Sequence, residues 1–232
     1  MKNLLTAMER TGQQIFDRAF LKVFLFGMLT TAGAIAMAYL IAGEIMKEVP
    51  LYSSSWGWWK DFVNNMMGFV FNTAFVFFIF LFFAPISTIF LAIFLDDIID
   101  CVEDKFYTEN KAGKRLGVQH LAYLALRIMF FIIVLNILML PLYVLLFWIP
   151  FVPLALFYIL NGYLLGWGYY EMVAVRHLGI KDAGIHRKSI RGVILSAGLI
   201  MTLLFMIPIV QLTVPILGAA MICHLFHISR SL

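Results

Sequence analysis

Close to the end of the chain, "CHLFH" sets Cys223, His224 and His227 within about one helical turn, a thiol and two imidazoles of the kind that hold zinc-class ions. These could hold a metal, yet a complete site needs a fourth ligand or an open catalytic position. The stretch reads as an interfacial tail, and no metal is expected. A second motif, "DDIID" at 96–100, matches the DDxxD signature with which prenyltransferases hold magnesium and a diphosphate. Such enzymes need a second acidic motif, and no cluster of the same form occurs elsewhere, so the acids read as the solvated face of a helix. Arg18 and Lys22 stand four residues apart at the mouth of the first apolar stretch. They read either as routine anchoring on the positive side of a membrane or as anion-binding groups. Gln211 and Thr213 are polar residues within a proline-punctuated apolar run, candidate anion donors, with Thr213 as a possible N-cap ahead of Pro215.

No nucleophile motif, phosphate loop or dinucleotide fingerprint is present. Neither a cofactor nor catalysis is expected, and nothing points to nucleic acid. Cys101 and Cys223 lie far apart and define no disulfide or zinc pattern.

The elements that must position these groups are apolar. The chain of 232 residues is 63% hydrophobic and 13% charged, against roughly 25% charged for a soluble domain. Residues 23–43, 62–95, 128–170 and 192–223 contain no Lys, Arg, Asp, Glu or His. About 20 such residues make a transmembrane helix, so each stretch can enter a bilayer. Lys and Arg gather in 1–22, 96–127 and 171–191, which places those segments on the cytoplasmic side and 44–61, with Trp56, Trp58 and Trp59, outside. Residues 1–19 carry Leu4, Leu5, Met8, Ile15 and Phe16 at helical spacing, an amphipathic helix on the cytoplasmic face. Pro85 divides the second stretch, which runs on into a cytoplasmic extension over 96–126 with Ile98, Ile99, Val102 and Phe106 on one side. Gly27, Gly33 and the alanines between 32 and 38 let the first helix approach a neighbour closely.

The third stretch begins and ends on the cytoplasmic side, so it must fold back. "LLFWIPFVPL" at 145–154 marks the turn, and "LLFMIPIVQL" at 203–212 repeats it. Proline lacks a backbone donor, so one helix stops before it and another begins with it. The arms of the second hairpin, 192–207 and 209–223, are shorter than the roughly 30 Å hydrocarbon core. That predicts a re-entrant pair; the first hairpin is long enough to span fully, but its sequence kinship with the second suggests the same shape, and the alternative is a pair of ordinary hairpins with their tips at the outer interface. The second half-helix of each pair then points its N-terminus, with free N–H groups and partial positive charge, into the membrane, where it favours anions.

The blocks "FDRAFLKVF", "FLDDIIDCVEDKFY", "LNGYLLGWGYYEMVAVRHLG" and "LLFMIPIVQLTVPILGAAMICHLFH", in this order and spacing, resemble the CysZ family of bacterial sulfate permeases and the related etoposide-induced membrane proteins. The resemblance implies two long membrane helices, two hemi-penetrating helical pairs, assembly into oligomers and sulfate uptake feeding cysteine synthesis. It also implies sulfate binding at arginines just before the first membrane helix, where this chain has Arg18, followed one turn later by Lys22. The expectation is an all-helical integral membrane protein, one polytopic domain over 1–232. It lies in the bacterial inner membrane with its N-terminus cytoplasmic and moves a small oxyanion such as sulfate. The alternative is a non-transporting scaffold that binds a partner complex or lipids through its N-terminal helix and the basic 171–191 loop.

Overall fold

The computed structural model describes residues 2–48, 59–111, 117–207 and 210–230. Every extended element in them is a helix: α1 (Lys2–Gln14), α2 (Arg18–Glu48), α3 (Trp59–Ile93), α4 (Leu95–Phe106), α5 (Val118–Leu146), α6 (Val152–Ser189), α7 (Arg191–Phe205) and α8 (Val214–Arg230), with 3₁₀ turns at Thr108–Asn110 and Val210–Leu212. The chain divides into two units, Lys22–Phe94 and the remainder, Met1–Leu21 with Leu95–Leu232. Trp56, Trp58 and Pro208, to which the sequence assigns an interfacial belt and a turn, lie outside the described residues.

In the first unit α3 runs through Pro85 and breaks only at Phe94, whose N–H bonds Leu91 O at 2.9 Å. The division expected at Pro85 is absent because one missing donor need not end an apolar helix whose neighbouring turns stay bonded. Gly27 permits the close approach predicted for it: a Cβ there would lie 2.4 Å from Leu91 Cδ2. Gly33 faces open space, so the packing argument fails for it. Ala32 and Ala36, with Tyr39, Asn72 and Phe75, line a lateral groove of about 450 Å³. Tyr39 donates to Asn72 Oδ1 at 2.9 Å and Asn72 donates onward to Gly68 O at 2.8 Å, so both polar groups are satisfied in apolar surroundings.

The second unit is built around α8. From Gly218 to His227 every residue of that helix is buried, which its apolar circumference allows, and α1, α4, α6 and α7 all pack against it. The first proline-marked hairpin joins α5 to α6. Its turn contains Phe151 at φ 65°, a left-handed conformation that costs an aromatic residue on the order of 1 kcal/mol, and Pro153 follows at the start of α6 as predicted. The segment 171–191, expected as a loop, is helix instead. It is interrupted at Gly179, where φ 73° and ψ 171° suit only glycine, and at Ile190, across which α6 and α7 are bent by 88°.

α7 returns antiparallel along the first half of α6, with Gly198 against Gly162 and Gly166, and Ile194 also against Gly166. Tyr158 ties the same seam by donating to Leu199 O at 2.6 Å. Backbone meets backbone here, a close approach that small residues four apart make possible.

The N-terminal helix does not simply lie on a surface. Leu4, Ala7, Thr11 and Gln14 form its buried face, packed toward α8, while Leu5 and Phe16 are 63% and 81% exposed. The reading of one apolar face is corrected: the face that packs is half polar, and most of the large apolar residues form a separate exposed stripe.

Candidate functional site

α4 carries Asp96, Asp100 and Glu103 at helical spacing, so all three fall near one stripe. The adjoining apolar stripe, Ile98, Ile99 and Val102, is fully buried as predicted. Asp97 and Asp104 are exposed, and Asp104 pairs with Lys111 at 2.6 Å. Asp100 departs from the solvated-face reading. It accepts a hydrogen bond from Arg176 of α6, whose guanidinium also lies 3.7 Å from Asp96. The Arg176 side chain is only 3% exposed, and a buried cation holds acidic partners this way because an unpaired one is costly. Two of the three acids of "DDIID" thus face a buried cation of the protein itself.

One helical turn further, Glu103 is fully buried. His177 Nε2 donates to its Oε1 at 2.7 Å, and His227 Nε2 of α8 lies 3.4 Å from the same oxygen. Burial alone pushes this carboxyl up, but hydrogen bonds from the two imidazoles and the nearby charge of Arg176 overcome it and hold the group at about 2. Cys223, one turn before His227 on the same face of α8, completes a buried cluster: the thiol, the imidazole and the Glu103 carboxylate bring ligand atoms within 4.8 Å of one another.

His224 points elsewhere. Arg10 of α1 donates to Tyr107 Oη at 2.9 Å, Tyr107 lies 2.9 Å from His224 Nδ1, and His224 Nε2 lies 2.9 Å from Gln14 Oε1. Since the Gln14 oxygen only accepts, Nε2 carries the proton and Tyr107 donates to Nδ1. Burial, then the charges of Arg10 and His227, push the imidazole down to about 3, so His224 is neutral in the fold. The ring of Tyr107 stacks on His227 at 4.1 Å, joining this chain of hydrogen bonds to the Glu103 cluster. The tail expected around "CHLFH" is therefore the buried foot of the central helix. What the sequence reading missed, Glu103, Arg176 and His177, carried one usable signal: Cys223 and His227 are spaced i, i+4 and needed partners from other helices.

The four predicted anion residues fall in two places. Arg18, the first residue of α2, and Lys22, one turn on, are both exposed, and neither is in an ion pair among the described residues. Asp17, beside Arg18, pairs with Lys105 at 2.7 Å. Gln211 is half-buried in the 3₁₀ turn between α7 and α8. Thr213 occupies the position ahead of α8, but its hydroxyl donates backward to Val210 O at 2.8 Å, while its carbonyl accepts from Leu217 N–H at 3.0 Å. The side-chain cap expected of Thr213 is not made, because the hydroxyl serves the 3₁₀ turn. No hydrogen bond or ion pair among the described residues joins Arg18 or Lys22 to Gln211 or Thr213.

Among the described residues, Arg18–Glu44 and Leu126–Leu146 are each long and apolar enough to cross a membrane, and the bent α6–α7 pair passes the same test jointly. These features define an all-helical membrane protein with two candidate membrane spans, in α2 and α5, and a bent helix pair, α6–α7. The chain belongs to the family described as Sulfate transporter CysZ/Etoposide-induced protein 2.4, with residues 7–215 matched. No curated protein and no solved structure matches it.

Proposed function

We propose that the chain is a permease for a small oxyanion, sulfate first, in the bacterial inner membrane with its N-terminus cytoplasmic. The family description names a sulfate transporter. The structural observation that carries the reading is the second hairpin. Helices α7 and α8 have 15 and 17 residues, or about 22–26 Å at 1.5 Å per residue, short of the roughly 30 Å core. The N-terminus of α8 is itself buried, at Val214, Pro215 and Ile216. A re-entrant pair of this kind holds free backbone N–H groups within the protein, where they stabilise an anion that has shed water. Arg18 and Lys22 act as an exposed positive pair that concentrates anions at the cytoplasmic end. Assembly of several copies is part of the proposal, and no catalytic step or cofactor is.

Labelled sulfate uptake into proteoliposomes tests this. Saturable flux above protein-free vesicles is expected, with an Arg18→Ala, Lys22→Ala double variant reduced by about tenfold at low sulfate, the equivalent of about 1.4 kcal/mol. Flux equal to that of empty vesicles ends the permease reading. It would leave the scaffold, which the exposed Leu5 of α1 and Phe16 just after it favour as a lipid-binding stripe.

A further inference from the structure

We propose that Glu103, Cys223 and His227 form a binding site for a divalent transition-metal ion of the zinc class, with His177 orienting the carboxylate from behind. The three ligand residues come from two helices, α4 and α8, and are 0%, 0% and 5% exposed. Their ligand atoms lie within 4.8 Å of one another, against roughly 3.3–3.8 Å between donors around a tetrahedral zinc with bonds of about 2.0–2.3 Å. Closure by about 1 Å, within the reach of side-chain rotation, brings them to an ion.

The donor set suits that class of metal. A thiolate and an imidazole select zinc or cobalt over magnesium or calcium, which take oxygen ligands. The charge also balances. A divalent ion with one carboxylate and one thiolate is neutral overall, the only kind of complex that sits cheaply in a buried place. Binding releases the Cys223 thiol proton to solvent and replaces the contact between His227 and Glu103 with two metal bonds. The fourth position is left for water or for His177. Until then His177, at 2.7 Å from Glu103 Oε1, holds the carboxylate as an outer-shell partner does. Arg176 stands nearby, but Asp96 and Asp100 offset its charge. His224 takes no part, because both of its nitrogens are engaged by Tyr107 and Gln14. The ion would clamp α4 to α8 at the foot of the hairpin.

Cobalt(II) titrated into full-length protein in detergent, stripped by a chelator and kept reduced, tests the site without reference to transport. One equivalent is expected to bind saturably, with thiolate-to-cobalt charge-transfer absorption. Cys223→Ser should lose that absorption, His227→Ala should weaken binding at least tenfold, and Cys101→Ser should match the unsubstituted protein. Independently of any variant, one equivalent of zinc should raise the Tm of the unsubstituted protein. Absence of a saturable signal, a charge-transfer band that survives in Cys223→Ser, or an unchanged Tm with zinc would each overturn the proposal.

Discussion

Replacing Gly198 with valine destroys the packing of α7 on α6 and is expected to remove the folded protein from detergent extracts. A Cβ at this position would lie 1.8 Å from the carbonyl oxygen of Gly162 and 2.8 Å from the amide nitrogen of Gly166. Both are backbone atoms of a facing helix, so no side-chain rotation relieves the clash, and the helices must separate. Separation also pulls Gly166 from Ile194 and breaks the bond from Tyr158 to Leu199 O. Overpacking in a rigid core costs about 1–3 kcal/mol per site. Here the obstruction is backbone on both sides, and a loss above about 3 kcal/mol is expected, a large share of a typical stability of roughly 5–15 kcal/mol. Gly168→Ala, on the same helix but with nothing within 4 Å of its would-be Cβ, should be neutral or stabilising by up to about 1 kcal/mol. Size-exclusion profiles and Tm of the two variants check the pair. A Gly198→Val protein as monodisperse and stable as Gly168→Ala would refute the seam.

The second large effect is acid destabilisation through the foot of α8. In chelator-treated protein His224 is held neutral down to about 3, whereas an unfolded histidine takes a proton near 6.5. Between those values the unfolded chain binds the proton that the native one refuses, so stability rises with pH. The contribution is complete above 6.5 and is lost progressively as pH falls toward 3. Glu103 adds a lower window of the same sign. Its folded value of about 2 lies below the unfolded 4.5, so its stabilisation is present above 4.5 and disappears as pH falls through 2. The windows represent at most about 5 and about 3 kcal/mol respectively. Tm measured downward from neutral pH should therefore begin to fall near pH 6.5 and steepen below 4.5. His224→Gln should flatten the upper part. Glu103→Gln should flatten the lower part and cost about 3 kcal/mol at neutral pH, because His177 and Arg176 lose a buried charge partner. A Tm unchanged between about pH 7 and 4 would contradict the neutral assignment of His224.

The large features were legible because they depend on composition and local rules. Charge-free stretches and two related proline turns are visible in the chain as written, and Pro153 does begin a helix as its missing donor requires. Pro85 misled because a single lost hydrogen bond is tolerated inside an apolar helix, so the same residue ends one helix and passes through another. The segment 171–191 looked like a loop because it is charged, but charge tells which side of a membrane a segment occupies and not whether it is helical. The buried foot was the least legible part. Glu103, Arg176 and Cys223 are far apart in the chain, and only the packing of α4 and α6 on α8 makes neighbours of them. In α1, amphipathicity found the helix but mistook the packed face, because Gln14 and Thr11 are buried by specific hydrogen bonds that hydropathy does not register.

The anion route depends most heavily on the second hairpin turning within the membrane, and cysteine accessibility tests that most directly. In a Cys101→Ser, Cys223→Ala background, Val210→Cys and, separately, Val152→Cys are exposed to a membrane-impermeant maleimide from the periplasmic side of intact cells. The predicted result is that Val210→Cys resists labelling until the membrane is dissolved, with Val152→Cys behaving likewise. Free labelling of both from outside would make the two turns exterior bends and would contradict the re-entrant hairpin and the anion route built on it.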